Sequence, residues 1–327
     1  MPRWGRVVDA LPLSRRAARA SPVSYACAIL RRMPQTRAEL PRHLEVEAPD
    51  GAAFPLHGLA QDDPGAPVVL VSPAMGTPVG FYRRFAEHLH AAGATALVLD
   101  HRGSGARGQV PRTTGYRQLT DDLGAAVAVI RTRLPQAALT VCGHSLGGQL
   151  ALVQAAEAAE RGTPAPDAVA LVAAGSVYHR AYGRRAPGLF VASRLMALTA
   201  AALGHWPGHR LGFGGRQPAG VIIDWAHQAR TGRYRLAGAD MEDTLRGLRV
   251  PVLAVDVEGD RLAPPGAVDH LCGKVPNAPV DRRGYTARDA AGGPLDHFRW
   301  ARHAAPLARD LVAWTRGAHP DTAGGPR

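Results

Sequence analysis

The run Gly143-His144-Ser145-Leu146-Gly147, continued by Gly148, holds residue types at a spacing that could do chemistry. It follows the apolar stretch from Leu139 to Cys142 and opens a helical pattern reaching Arg161, so Ser145 falls on a sharp strand-to-helix turn. Such a turn presents the hydroxyl at a helix N-terminus, where free N–H groups and the helix dipole favour developing negative charge. Glycines on both sides let strand and helix approach without side-chain clash. The chemistry implied is nucleophilic attack by Ser145. His144 is adjacent in the turn and poorly placed to aim its imidazole at that hydroxyl, so it reads as a structural filler rather than a base.

A serine hydroxyl is a weak nucleophile at neutral pH; it needs a base, and the base needs an anion to hold its tautomer. Behind a strand–serine–helix turn the acid comes next along the chain, just past a late strand, and the base last, ahead of the closing helix. The run Val250 to Asp260 offers three carboxylates. Asp260, beyond Gly259 and ahead of Ala263-Pro264-Pro265, is placed best, whereas Asp256 falls inside the apparent strand and Glu258 on its edge. His297 is the candidate base, in Pro294-Leu295-Asp296-His297-Phe298 before a stripe of Trp300, Ala304, Leu307, Leu311 and Trp314. Two backbone N–H groups are needed for an oxyanion. Leu146, after the nucleophile, supplies one by position, and Met75, in Ser72-Pro73-Ala74-Met75-Gly76, occupies the other donor position. This chemistry needs no metal and no organic cofactor.

The elements that must hold these groups alternate. Asp50-Gly51 marks a hairpin between His43–Ala48 and Ala53–Leu59. Val68–Ser72, Thr95–Leu99, Leu139–Cys142, Ala168–Ala173 and Val250–Val257 are apolar runs suited to strands covered on both faces. Helical spacing predicts helices over Phe81–Ala92, Tyr116–Leu134 and Gly147–Arg161, and a closing helix over His297–Arg316. The fold class expected is α/β, the α/β-hydrolase fold: a mostly parallel sheet with helices on both faces. From about 175 to 249 the alternation lapses around one apolar helical stretch, Leu189–Leu203, and an inserted helical cap is expected there. The domain thus runs over 43–316, after a basic, proline-broken extension at 1–42 expected to be flexible and before a flexible tail at 317–327. Arg282 to Pro294 reads as a long loop.

The formal charge of +12 comes almost wholly from dispersed arginine, Lys274 being the only lysine, and no aromatic-basic recognition motif accompanies it, so nucleic acid is not an expected partner. Cys27, Cys142 and Cys272 have neither metal-ligand nor disulfide-framework spacing, which fits a reducing cytoplasm. The most apolar stretch, Gly188 to Gly204, is short and carries Arg194, so no membrane span is expected. The sequence says nothing of oligomeric state.

Taken with Phe81-Tyr82-Arg83-Arg84-Phe85-Ala86, Asp100-His101-Arg102-Gly103-Ser104-Gly105 and Leu295-Asp296-His297-Phe298, the segments around Met75 and Ser145 resemble the bacterial α/β-hydrolases related to the serine aminopeptidase and monoglyceride-lipase-like group. The likeness runs from about Val68 to Trp314, with Pro73-Ala74 standing where related lipases and peptidases have His-Gly. It implies a serine hydrolase acting on a small-molecule acyl substrate, an ester first. Acyl transfer through the same triad and a non-catalytic ligand-binding role are the alternatives. The apolar side chains of the cap, among them Leu189, Phe190, Leu195 and Trp206, favour an acyl group over a polar peptide, about half of them packing on the sheet.

Overall fold

The computed structural model describes residues 40–103 and 110–318. The 1–39 part of the expected extension, Cys27, the Ser104-Gly105 end of one motif and residues 319–327 of the tail lie outside them. Eight strands form one sheet: β1 (Arg42–Glu47), β2 (Ala53–Leu59), β3 (Val68–Ser72), β4 (Thr95–Leu99), β5 (Leu139–His144), β6 (Ala168–Val172), β7 (Val252–Val257) and β8 (Val280–Tyr285). Their order is β1-β2-β4-β3-β5-β6-β7-β8, antiparallel at β1–β2 and β2–β4 and parallel elsewhere. The first strand starts at Arg42, one residue before the hairpin expected from His43.

Every residue of β3, β4, β5 and β6 is buried, which is why these strands read as continuous apolar runs rather than alternating ones. On one face Leu70, Leu97 and Val141 meet α2 (Tyr116–Arg133) and α3 (Leu146–Arg161) through Leu123, Val127 and Leu150. On the other, Val69, Val71 and Cys142 meet Phe85 and Leu89 of α1 (Arg83–Ala91), Trp300, and Leu307 and Leu311 of the last helix.

Between β6 and β7 the chain builds α4 (Ala186–Leu203) and α5 (Ala219–Thr231), which pack together, with a short ribbon of His205–Pro207 against Arg216–Pro218. After β7 comes α6 (Pro265–Cys272), and α7 (Ala305–Ala318) closes the chain.

Two expectations need correction. The closing helix does not start at His297. A 3₁₀ turn spans Arg299–Arg302 and α7 begins only at Ala305, because Pro306 has no N–H to donate and its ring would clash with a helical carbonyl four residues earlier. The stretch from Arg282 is not all loop either, since Val280–Tyr285 pairs in parallel with β7 from Val252↔Val280 to Val257↔Tyr285. It is an edge strand whose exposed Arg282 and Arg283 and partly exposed Asp281 keep that edge from pairing further, and this polarity hides the strand pattern in the sequence.

Candidate active site

Strand register brings the elbow and the Met75 loop side by side. Ser72, the last residue of β3, pairs with Gly143 of β5, so both chains leave the sheet together. Ser145 caps the N-terminus of α3 with φ 54° and ψ −118°, a conformation that side-chain-bearing residues rarely adopt. The tightness of the turn explains Gly147: a Cβ there would lie 2.0 Å from Ser72 O and 2.6 Å from Pro73 O. As the first residue of α3, Leu146 has an N–H that no intrahelical carbonyl can take. Across from it, Ala74 to Thr77 form a turn closed by Thr77 N–H to Ala74 O at 3.1 Å, with Gly76 at φ 68°. Met75 sits within this turn, half-buried beneath the cap, where Gly214 closes on its sulfur.

Asp260 and His297, 37 residues apart in the chain, meet directly: His297 Nδ1 donates to Asp260 Oδ2 at 2.8 Å, with the two side chains 5% and 1% exposed. The other carboxylate oxygen, Oδ1, accepts N–H bonds from Leu262 (2.8 Å) and Ala263 (3.0 Å), so the loop itself orients the carboxylate. The two alternative carboxylates are engaged elsewhere. Asp256 accepts from Arg282 Nε at 2.7 Å and Glu258 from the Ala287 N–H at 2.6 Å. Among the hydrogen bonds of the described residues the Asp260–His297 half is closed and a Ser145–His297 bond is not; such bonds are often long before substrate binds.

His144 turns out to be wired into the site. The Ala74 N–H donates to Tyr82 Oη, Tyr82 Oη–H donates to His144 Nδ1, and His144 Nε2–H donates to the His297 carbonyl, each at 2.8 Å. The His297 carbonyl can only accept, which puts the His144 proton on Nε2 and leaves Nδ1 to accept from the phenol. Burial, and then the neighbouring charge of His297, push the His144 pKa well below its ordinary value, so the ring stays neutral. Burial likewise raises the Tyr82 phenol far above its usual range. This chain ties the Met75 loop, the elbow and the His297 backbone into one unit. Tyr82 was not singled out in the sequence, although it lies in the Phe81-Tyr82 motif.

The acid loop is held from the cap side. Tyr182 Oη lies within hydrogen-bond reach of the carbonyls of Leu262 (2.7 Å) and Ser176 (3.2 Å), and Arg185 donates to the Arg261 carbonyl at 3.1 Å. Cys142 points into the core, where burial pushes its thiol up to about 12 and removes it as a competing nucleophile. Arg102, in the motif after β4, is buried between Asp122 of α2 and Asp50 of the β1–β2 turn, a structural clamp away from Ser145. The described residues contain no cluster of metal-ligating side chains.

Comparison with known proteins places the chain in a family and shows its fold. The family described as serine aminopeptidase, S33, matches residues 63–286, a span that holds Met75, Ser145 and Asp260 and stops short of His297. No curated protein matches the chain. Among solved structures, a soluble variant of monoglyceride lipase from Saccharomyces cerevisiae is similar with a TM-score of 0.63 at 15% identity, covering 87% of this chain and 97% of that one. The bacterial brefeldin A esterase gives 0.54 at 22% identity over 88% and 79% of the two chains. A structure from the study of the metagenome-derived lipolytic enzymes LipS and LipT gives 0.56 at 17% identity over 86% and 100%. At such identities these structures share the fold.

Proposed function

Because the chain belongs to the serine aminopeptidase, S33, family of α/β-fold hydrolases, we propose that it cleaves a carboxylic ester or a related acyl bond through an acyl-serine intermediate. The observation that carries this reading is the buried 2.8 Å bond from His297 Nδ1 to Asp260 Oδ2, in a site whose serine is held at φ 54° on a helix N-terminus. In this reading Asp260 keeps the His297 proton on Nδ1, leaving Nε2 free to accept one. Ser145 Oγ attacks the acyl carbon as its proton passes to Nε2, and the N–H groups of Met75 and Leu146 hold the oxygen that becomes negative. Collapse expels the alcohol, which takes the proton from Nε2. Water then gives a proton to Nε2 and attacks the acyl-enzyme, releasing the acid and Ser145.

The test is a fluorophosphonate probe on the purified protein, with the labelled peptide read by mass spectrometry. Labelling at Ser145, abolished in Ser145→Ala with the thermal midpoint kept, is the expected result. Labelling that persists in that variant overturns the assignment. A p-nitrophenyl series from acetate to octanoate then reads the acyl preference. If each methylene buried is worth about 0.8 kcal/mol, two more carbons raise kcat/KM roughly tenfold until the pocket fills, and a flat or falling series rules out an apolar acyl pocket.

A further inference from the structure

Helix α4 buries little of itself. Ser193, Met196 and Ala200 face the domain, while Val191 (54% exposed), Leu195 (59%) and Leu198 (66%) form an apolar stripe in solvent, with Leu203 (55%) exposed at the end of the helix. Leu211, just beyond it, is 48% exposed. Val191, Leu195 and Leu198 recur at helical spacing and share one outward face, unlike scattered single surface leucines.

The charge around this stripe has one sign. From Ala168 to Ile223 the chain has no Asp or Glu, yet it carries Arg180, Arg184, Arg185, Arg194, Arg210 and Arg216. All six are exposed. Arg194 lies in the apolar stripe itself, Arg184 and Arg185 lead into the helix, and Arg210 adjoins Leu211. A stretch ending in this helix, His179–Leu203, is long and apolar enough to cross a bilayer by length and composition. Its inner face is packed on the domain, however, so it is placed to lie along a surface rather than to pass through one.

We propose that the outer face of α4 docks in the plane of a lipid bilayer bearing anionic headgroups, with Val191, Leu195 and Leu198 entering the headgroup–acyl boundary and the arginines meeting lipid phosphates. Charge selects this occupant. A second copy of the chain would set the same acid-free arginine field against itself. The segment before Leu40 is also basic, with eight arginines (3, 6, 15, 16, 19, 31, 32 and 37) against Asp9 and Glu39. The docked face also sits beside the candidate site, because Arg185 at the head of α4 holds the Arg261 carbonyl next to Asp260, and Gly214, in the loop after Leu211, covers Met75.

Flotation of the full chain with lipid vesicles tests this without any activity assay. Vesicles of phosphatidylcholine mixed with phosphatidylglycerol should carry the protein upward, far more than phosphatidylcholine alone, and added salt should release it. Replacing Val191, Leu195 and Leu198 together by Ser should weaken the partition about a hundredfold or more. Arg184→Gln and Arg194→Gln should each cost about fivefold on the mixed vesicles and nothing on the neutral ones. Thermal melts of all variants should match the parent, since the replaced side chains are exposed. Failure of the parent to float with mixed vesicles overturns the proposal, as does equal flotation of the triple variant. A dimer in sedimentation equilibrium that the triple variant dissociates, with no vesicle binding, would overturn it in favour of a second copy.

Discussion

Replacing Asp260 by Asn keeps the size and shape of the side chain and changes one thing, the direction of a hydrogen bond. In the native loop Oδ1 accepts from Leu262 and Ala263 and Oδ2 from His297 Nδ1. An asparagine can keep its oxygen on the two backbone N–H groups, so the loop has reason to stay in place. Its nitrogen then faces His297 Nδ1 as a donor. The imidazole must answer with an unprotonated Nδ1, which moves its proton to Nε2, the atom that takes the proton of Ser145 in the proposed mechanism. Loss of the correct tautomer is worth about 10⁴-fold in kcat, or roughly 5.4 kcal/mol of barrier. The assay is kcat on a p-nitrophenyl ester, alongside the rate of fluorophosphonate labelling and a thermal melt. Asp256→Asn is the control: it gives up only an ion pair with Arg282 at the sheet edge and should cost less than about threefold. A folded Asp260→Asn enzyme within about tenfold of the parent, or a larger loss in the Asp256 variant, would refute the assignment of the acid.

Three further outcomes are expected. Tyr82→Phe removes one oxygen and strands two buried groups, the Ala74 N–H and His144 Nδ1; at about 1–3 kcal/mol each, urea unfolding should show a loss of roughly 2–6 kcal/mol, together with reduced turnover. Gly147→Ala places its methyl group against the backbone carbonyl of Ser72, which cannot rotate away, so about 1–3 kcal/mol of stability should go along with activity, as read by melting and kcat. Stability should fall on acidification. His144 has a folded pKa depressed by burial, so below its ordinary value of 6.5 the unfolded chain binds a proton that the folded chain refuses. Chemical denaturation between pH 7 and 5 should therefore lose up to about 1.4 kcal/mol per pH unit below that value, and an unchanged unfolding free energy would contradict a buried neutral ring.

Much of this protein was legible in its sequence because the signals are local. The buried strands announce themselves as short apolar runs, and β1 and β2 as a pair around Asp50-Gly51. The elbow is legible for the same reason: a serine at φ 54° between a strand and a helix demands glycine where Gly143 and Gly147 stand, within two residues. The proline at position 306 also sets the start of α7, a local rule that the apolar stripe from Trp300 obscured. The edge strand β8 escaped notice because its exposed face carries charge where a central strand would carry apolar residues.

What the tertiary structure decided are the long-range meetings. Three carboxylates lie within five residues of one another in the sequence, and only the folded loops show that Asp256 and Glu258 are engaged elsewhere while Asp260 meets a histidine 37 residues away. The bond from His144 to the His297 carbonyl spans 153 residues, and no periodicity encodes it. The outward stripe on α4 belongs here too: the sequence marks Val191, Leu195 and Leu198 as apolar, but whether they face core or solvent depends on which side of the helix packs against the domain. Strand, turn and helix follow from neighbours a few bonds apart, whereas a catalytic arrangement depends on the order of strands in a sheet. That order is set by the packing of the whole chain.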